Sequence, residues 1–145
     1  MRHRLLVQSG GRRTYAVTLE MDEEVVSRLT SLATQLKLGA SSISAVGGFK
    51  RARLGYFDYQ TSTFHQNDID EQVELLSLVG NIAETEDGTP KIHAHVVLGR
   101  IDATTRGGHL VEATVRPTFE AIIEETPQHL KRKHDANTGL VLLQP

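Results

Sequence analysis

In the run Pro90 to Thr118, PKIHAHVVLGRIDATTRGGHLVEATVRPT, two histidines stand at alternate positions of an apolar segment and a third follows a Gly-Gly pair. Imidazole titrates near neutral pH and ligates divalent metals, so this is where the chain's chemistry is expected. Read as a strand, Lys91 to Gly99 puts His93 and His95 on one face with Cα atoms about 6.6 to 6.8 Å apart. Two rings at that spacing can converge on one ion. His109 would complete a three-histidine set with an open position, as zinc and other divalent transition metals use when a water or substrate must bind. A simple hairpin turning over Asp102 to Gly107 opposes this, because it pairs Arg100 with His109 and leaves His95 roughly 17 Å away along the strand. Three readings then stand: the turn folds back, a neighbouring subunit completes the site, or the histidines have separate roles. Hydrogen-bonded core or interface imidazoles account for the same residues without any ligand.

Other chemistry-bearing groups are sparser. Gly107 and Gly108 permit a tight turn or a close approach of backbone to ligand. Glu74, on an apolar strand, and Asp102, in the turn after the two histidines, are the carboxylates that could ligate or act as general base. Gly47-Gly48 followed by Lys50, Arg51 and Arg53 lacks the spacing of a phosphate-binding loop and reads as a solvated hairpin tip. Lys131, Arg132 and Lys133 form the densest basic run and, with Lys50, Arg51 and Arg53, are the candidate nucleic-acid contacts. No Gly-x-Ser-x-Gly is present. With no cysteine in the sequence, disulfides, thiolate metal sites and cysteine nucleophiles are excluded.

The elements that must carry these groups are legible in the hydrophobic spacing. Arg4 to Ser9 and Arg13 to Glu20 read as strands joined at Gly10-Gly11. Val25, Val26, Leu29, Leu32, Ala33 and Leu36 recur at helical spacing, which predicts one principal amphipathic helix over about 22–38. Asp22 is the expected N-cap, Met21 a staple onto Val26, and Lys37 with Gly39 the exit. Ser42 to Gly48 and Arg51 to Tyr59 read as two strands around a turn at Gly48 to Lys50. A polar loop is expected over Thr61 to Glu71, with room for a short strand. Strands follow at Gln72 to Ala83, Lys91 to Gly99, His109 to Val115 and Thr118 to Glu124. Gln128 to Asn137 reads as a basic polar segment and Leu140 to Leu143 as a last short strand. One helix against many strands predicts an α+β fold with a mainly antiparallel β-sheet. At 145 residues, without repeats or linkers, residues 1–145 form a single expected domain.

A net charge of −2 removes the global electrostatic footprint of a dedicated nucleic-acid binder, so DNA is a weak expectation resting on local patches. The apolar stretch after the basic start, Leu5 to Val7, is too short for a signal-peptide core. No apolar run approaches the roughly 20 residues that cross a bilayer. A cytoplasmic protein without membrane partners is expected.

Taken together, VELLSLVGNIA, DGTPKIHAHVVLGRIDATTRGGHL and VRPTFEAII, preceded by VTLEMDEEVVSRLTSLATQL and SISAVGGFKRARLGYFD, resemble the PPC domain, also catalogued as DUF296, the "plants and prokaryotes conserved" domain. His93, His95, Gly107, Gly108, His109 and Leu110 occupy the family's motif. The resemblance covers almost the entire chain. It implies a PPC-domain-like α+β fold, a homotrimeric assembly, and the provisional DNA-binding or regulatory role attached to bacterial members. In plants the domain follows an AT-hook with an Arg-Gly-Arg-Pro core, from which Gly11-Arg12-Arg13-Thr14 departs, so the chain is similar to stand-alone bacterial members.

Two functional classes fit these residues. One is a non-enzymatic trimeric domain whose histidine cluster, near a trimer interface, holds a metal or small ligand. The alternative is a metal-dependent enzyme in which His93, His95 and His109 hold a divalent ion that activates water, with Glu74 as base.

Overall fold

Gly10 and Gly11 both adopt positive φ, 55° and 79°, which suits the two-residue turn of a tight hairpin. They join β1 (Arg2–Ser9) to β2 (Arg12–Leu19) as antiparallel neighbours. In the computed structural model, which describes residues 1–144, helix α1 spans Val25–Leu36. It buries Val25, Leu29, Leu32 and Ala33 completely, each leucine contributing roughly 2 kcal/mol by removal from water. The helix start differs from expectation. Asp22 sits in the left-handed region at φ 66° and belongs to the preceding turn. Glu24 is the cap instead, its carboxylate accepting from the Val26 amide at 3.0 Å and the Ser27 amide. Met21 is exposed rather than stapled, whereas the exit lies where expected, with Lys37 taking the left-handed closing conformation at φ 52°.

The middle of the chain is built from longer strands than the spacing suggested. β3 runs without reversal from Ala40 to Asp58 (Ala40–Asp58), and the expected turn at Gly48 to Lys50 does not form. Gly47, at φ 147°, marks a bulge where β3 passes so close to β7 (Thr105–Glu125) that a Cβ would meet the Thr118 carbonyl and the Phe119 Cα. Glycine here serves close approach, not a turn. β7 likewise fuses the two strands expected at His109 to Val115 and Thr118 to Glu124, since Pro117 falls where the pairing with β3 shifts register, a place that needs no amide donor. The expected polar loop contains β4 (Thr63–Ile69), which pairs with the end of β3. β5 (Val73–Glu84) and β6 (Pro90–Gly99) follow as an antiparallel pair, and the basic segment holds β8 (Lys131–His134), paired with β9 (Val141–Gln144).

Among the described residues every strand pair is antiparallel except the single contact of β8 with β5 at Lys131 and Glu84. The molecule is thus mostly β-sheet with one short helix. β3 pairs with β5, β5 with β6, β6 with β7, and β7 returns to β3, so four strands close on themselves. Leu78, Ile82, Val96, Leu98, Val115 and Ile123 form the core with α1, and Phe49 stacks on Phe119 at 6.5 Å within it. One polar group is buried deliberately: the Glu125 carboxylate accepts from the amides of Gly39 and Ala40 at 3.0 and 3.2 Å and from the Ser41 hydroxyl. That carboxylate ties the end of β7 to the start of β3. No helix among the described residues is long and apolar enough to cross a membrane.

Candidate metal centre

Strand alternation positions the first two histidines. Ala94, Val96 and Leu98 fill the core, so His93 and His95 project together from the other face of β6. The third is placed by the turn. Asp102 Oδ1 accepts from the Thr104 amide at 3.0 Å and its hydroxyl at 2.6 Å, and the Arg100 amide donates to the Thr104 carbonyl at 2.9 Å. The reversal therefore closes at Gly99 and Thr105, tighter than the Asp102 to Gly107 turn inferred from the glycines. Gly107 and Gly108 lie on β7 itself, and His109 pairs directly with His95. The separation of roughly 17 Å disappears with this register, and all three histidines meet within one chain.

The rings form a nearly equilateral triangle, with centroids 5.3 Å (93–95), 5.1 Å (93–109) and 5.4 Å (95–109) apart. One nitrogen from each lies within 4.8 Å of the other two. A tetrahedral ion with metal–nitrogen bonds near 2.0–2.1 Å needs its nitrogens about 3.4 Å apart, a closure that small ring rotations supply. Burial pushes His93 down to about 4, with the Arg132 guanidinium and the other two imidazoles adding to the effect. His109 is lowered by burial and then by His95. Both rings are therefore neutral at neutral pH and offer lone pairs, the form in which histidine ligates metal. The donor set fits a borderline divalent transition metal.

The supporting shell comes from elements far apart in sequence. His109 also pairs with Gly55 on β3, and Phe64 of β4 lies edge-on to its ring at 5.9 Å, over Gly55. Gly108 lines the same cavity as the histidines. Gly107 opens instead onto a separate depression beside Arg100 and Arg106.

Glu74 is not brought to the centre. It pairs with Gly48 and Gly99, seven residues along β5 from Asn81, the residue opposite His93, a run of about 23 Å. Asp102 is occupied as the turn-former. The candidate phosphate contacts are largely engaged by acids: Lys50 with Asp22 at 3.3 Å, and Arg53 with Asp68 at 2.6 Å and Glu112 at 3.5 Å. Arg51 borders the same acidic cleft. The run Lys131 to Lys133 is divided by β8: Lys131 pairs with Glu84, Lys133 is exposed, and Arg132 is buried at 3% exposure, out of reach of any nucleic acid. Arg132 lines the histidine cavity, as do Lys91, Tyr56 and Phe64. Lys91, Tyr56 and Phe64 are site residues that sequence reasoning missed, and it assigns Arg132 to nucleic acid instead of to this cavity. Period-two alternation would have found Arg132 had the segment been read as a strand.

Comparison with known proteins places the fold. Residues 7–127 match the Plants and Prokaryotes Conserved (PCC) domain. A plant- and prokaryote-conserved protein of Pyrococcus horikoshii superimposes with a TM-score of 0.85 at 28% identity, over 96% of this chain and 98% of that one. A metal-containing protein from Archaeoglobus fulgidus gives 0.84 at 27% identity, over 100% and 99%. A Bacteroides thetaiotaomicron protein provisionally designated DNA-binding shares the fold, with a TM-score of 0.88 at 23% identity over 98% and 96%. None of the curated proteins matches the chain. With the family's match spanning most of its length and its histidines gathered at one point, this chain belongs to the Plants and Prokaryotes Conserved domain family.

Proposed function

We propose that this protein is a homotrimeric PPC-domain protein that holds one divalent transition metal, zinc or a close relative, on His93, His95 and His109. The observation that carries the reading is the convergence of three imidazole nitrogens within 4.8 Å, with no carboxylate in the group among the described residues. Similarity to the metal-containing protein of Archaeoglobus fulgidus supports it. Bound there, a divalent ion would act as a Lewis acid toward an oxygen ligand entering from the adjacent cavity. The chain's own residues hold the His93 and His109 rings neutral by burial, orient His109 through its pairing with His95 and Gly55, and screen one side with Phe64.

A metal-dependent hydrolase would also need a group to accept a proton beside the ion. Among the described residues no carboxylate lines the cavity, and Glu74 lies well away along β5, which favours a ligand-binding domain over the enzyme reading. Nucleic-acid binding is disfavoured by the acids already paired with Lys50, Arg53 and Lys131.

The test is elemental analysis of untagged protein purified without chelator. About one transition-metal ion per chain is expected, falling below about a tenth when His93→Ala and His95→Ala are combined. Wild-type protein carrying less than about a tenth of an ion, and taking up none from added zinc, overturns the metal centre.

A further inference from the structure

The three histidines open into a cavity of about 500 Å³, within the range of small-ligand sites and more than three times the roughly 150 Å³ that holds benzene. Two kinds of surface line it. Tyr56, Phe57 and Phe64 come from the β3–β4 hairpin, and Leu140, Val141 and Leu142 face them from the last strand and the turn before it. Two basic side chains, Arg132 and Lys91, also line it, and among the described residues no acidic side chain does.

Arg132 is the informative member. Its side chain is 3% exposed, and taking a guanidinium out of water is costly unless an anion compensates it. Its hydrogen bonds go to neutral oxygens, the Asn81 side-chain carbonyl and the Val141 backbone carbonyl at 3.2 Å. Its Nε–H finds no partner. An arginine buried to this degree is ordinarily found beside a carboxylate. Arg132 instead borders a cavity, and Asn81, which holds it, is the residue opposite His93 on β5. Lys91 lies on the same face of β6 as His93 and His95, two residues before the first of them, and is exposed at the rim.

From the unpaired buried guanidinium, the second cation and the facing apolar walls, we infer that this cavity binds a small organic anion, a carboxylate carried on an aromatic or branched apolar body. The carboxylate is received by Arg132, with Lys91 at the rim, beside the histidine centre. The apolar body lies between the aromatic hairpin and the Val141–Leu142 wall. A bare phosphate would leave those walls unused, and a neutral ligand would leave Arg132 uncompensated. The inference names the ligand of the proposed metal centre and so rests on that reading for its setting, while Arg132 and the walls are present whether or not an ion is bound.

Calorimetric titration of the full-length protein with benzoate, benzamide, acetate and inorganic phosphate tests it, on protein as purified and after stripping by chelator, with metal content measured in both. Benzoate is expected to bind one site per chain at least about tenfold more tightly than benzamide, acetate or phosphate. Arg132→Gln should weaken benzoate about tenfold or more and leave benzamide unchanged, and Lys91→Gln should weaken it severalfold. Should Arg132→Gln fail to fold, Lys91→Gln and Tyr56→Ala, both at exposed side chains, carry the same test of charge and of wall. Benzoate binding no better than benzamide, acetate or phosphate, or to none of these proteins up to about 10 mM, overturns the inference. So does benzoate binding that depends on the ion and ignores Arg132 and Lys91. Metal present with no preference for benzoate sinks this inference alone. Benzoate bound by protein that takes up no metal sinks the metal centre alone.

Discussion

His109 shows how much a single residue's role depends on its partners. Paired with His95 across the strands and with Gly55 on the other side, it joins a triangle of imidazoles that no stretch of β7 could form by itself. Arg132 is the reverse case, a residue from a basic run turned inward by alternation. A third residue lends itself to a pH test. Burial alone would raise Glu23, but the Met1 amine, the Glu20 amide and the Arg28 guanidinium outweigh it and bring its carboxyl down from 4.5 to about 2. The Met1 amine and the Arg28 Nε each lie 2.8 Å from it, and its side chain is 16% exposed. With the folded value below the unfolded one, Glu23 contributes stability that is present in full above about pH 4.5 and lost as pH falls toward 2. Glu23→Gln is therefore expected to cost on the order of 2–3 kcal/mol at about pH 7, shrinking steadily below about pH 4.5. Urea unfolding of both proteins at several pH values checks it, and a difference independent of pH would refute it.

At the scale of elements, the start of α1 distinguishes two candidate caps separated by two residues. The Glu24 carboxylate serves the Val26 and Ser27 amides and also accepts from the Ala113 amide of β7 at 3.2 Å, so it joins helix to sheet. Asp22 makes only an exposed pair with Lys50. Glu24→Ala is accordingly expected to lower stability by about 1–2 kcal/mol, and Asp22→Asn to stay within about 0.5 kcal/mol. Equal losses in denaturant melts would return the cap to Asp22. Residue preference at helix starts puts the cap on Asp22, the first of three acids in a row, and the structure places it on Glu24. Ranking required knowing where the turn from β2 ends and which carboxylate faces β7.

For the whole molecule, closure of β3, β5, β6 and β7 assigns a face to every strand. Cross-strand pairing aligns Ala16, Ile122, Ser44, Val79, His95 and His109 in one row on the side away from the core. Val79 is 60% exposed on that row, with Val46, Leu76, Val97 and Ile122 also exposed. Exposed apolar side chains on the same face as His95 and His109 suit burial between copies of the chain, in accord with the proposed trimer. Light scattering at micromolar concentration is expected to give about three times the 16.0 kDa chain mass, and Val79→Asp to shift the protein toward monomer. Wild-type protein that runs as a monomer removes the trimer and leaves the one-chain histidine cluster intact.

Much of this molecule is written locally. Helical spacing from Val25 to Leu36 located α1, paired glycines located the first hairpin, and alternation around Ala94 put His93 and His95 on one face, because each of these is set by the backbone's own period or by φ at a single residue. What tertiary structure decided is everything that depends on register between distant strands. Glycine permits both turns and close approach, so Gly47-Gly48 and Gly107-Gly108 read as turns until β3 and β7 were seen to run past them. The pairing of His95 with His109 followed from Asp102 and Thr104 closing a tighter reversal. Burial of Arg132 followed from β8 and β9 folding back over the histidine cavity. Those outcomes belong to long-range packing, where the energy of a whole strand pair outweighs the preference of any one residue within it.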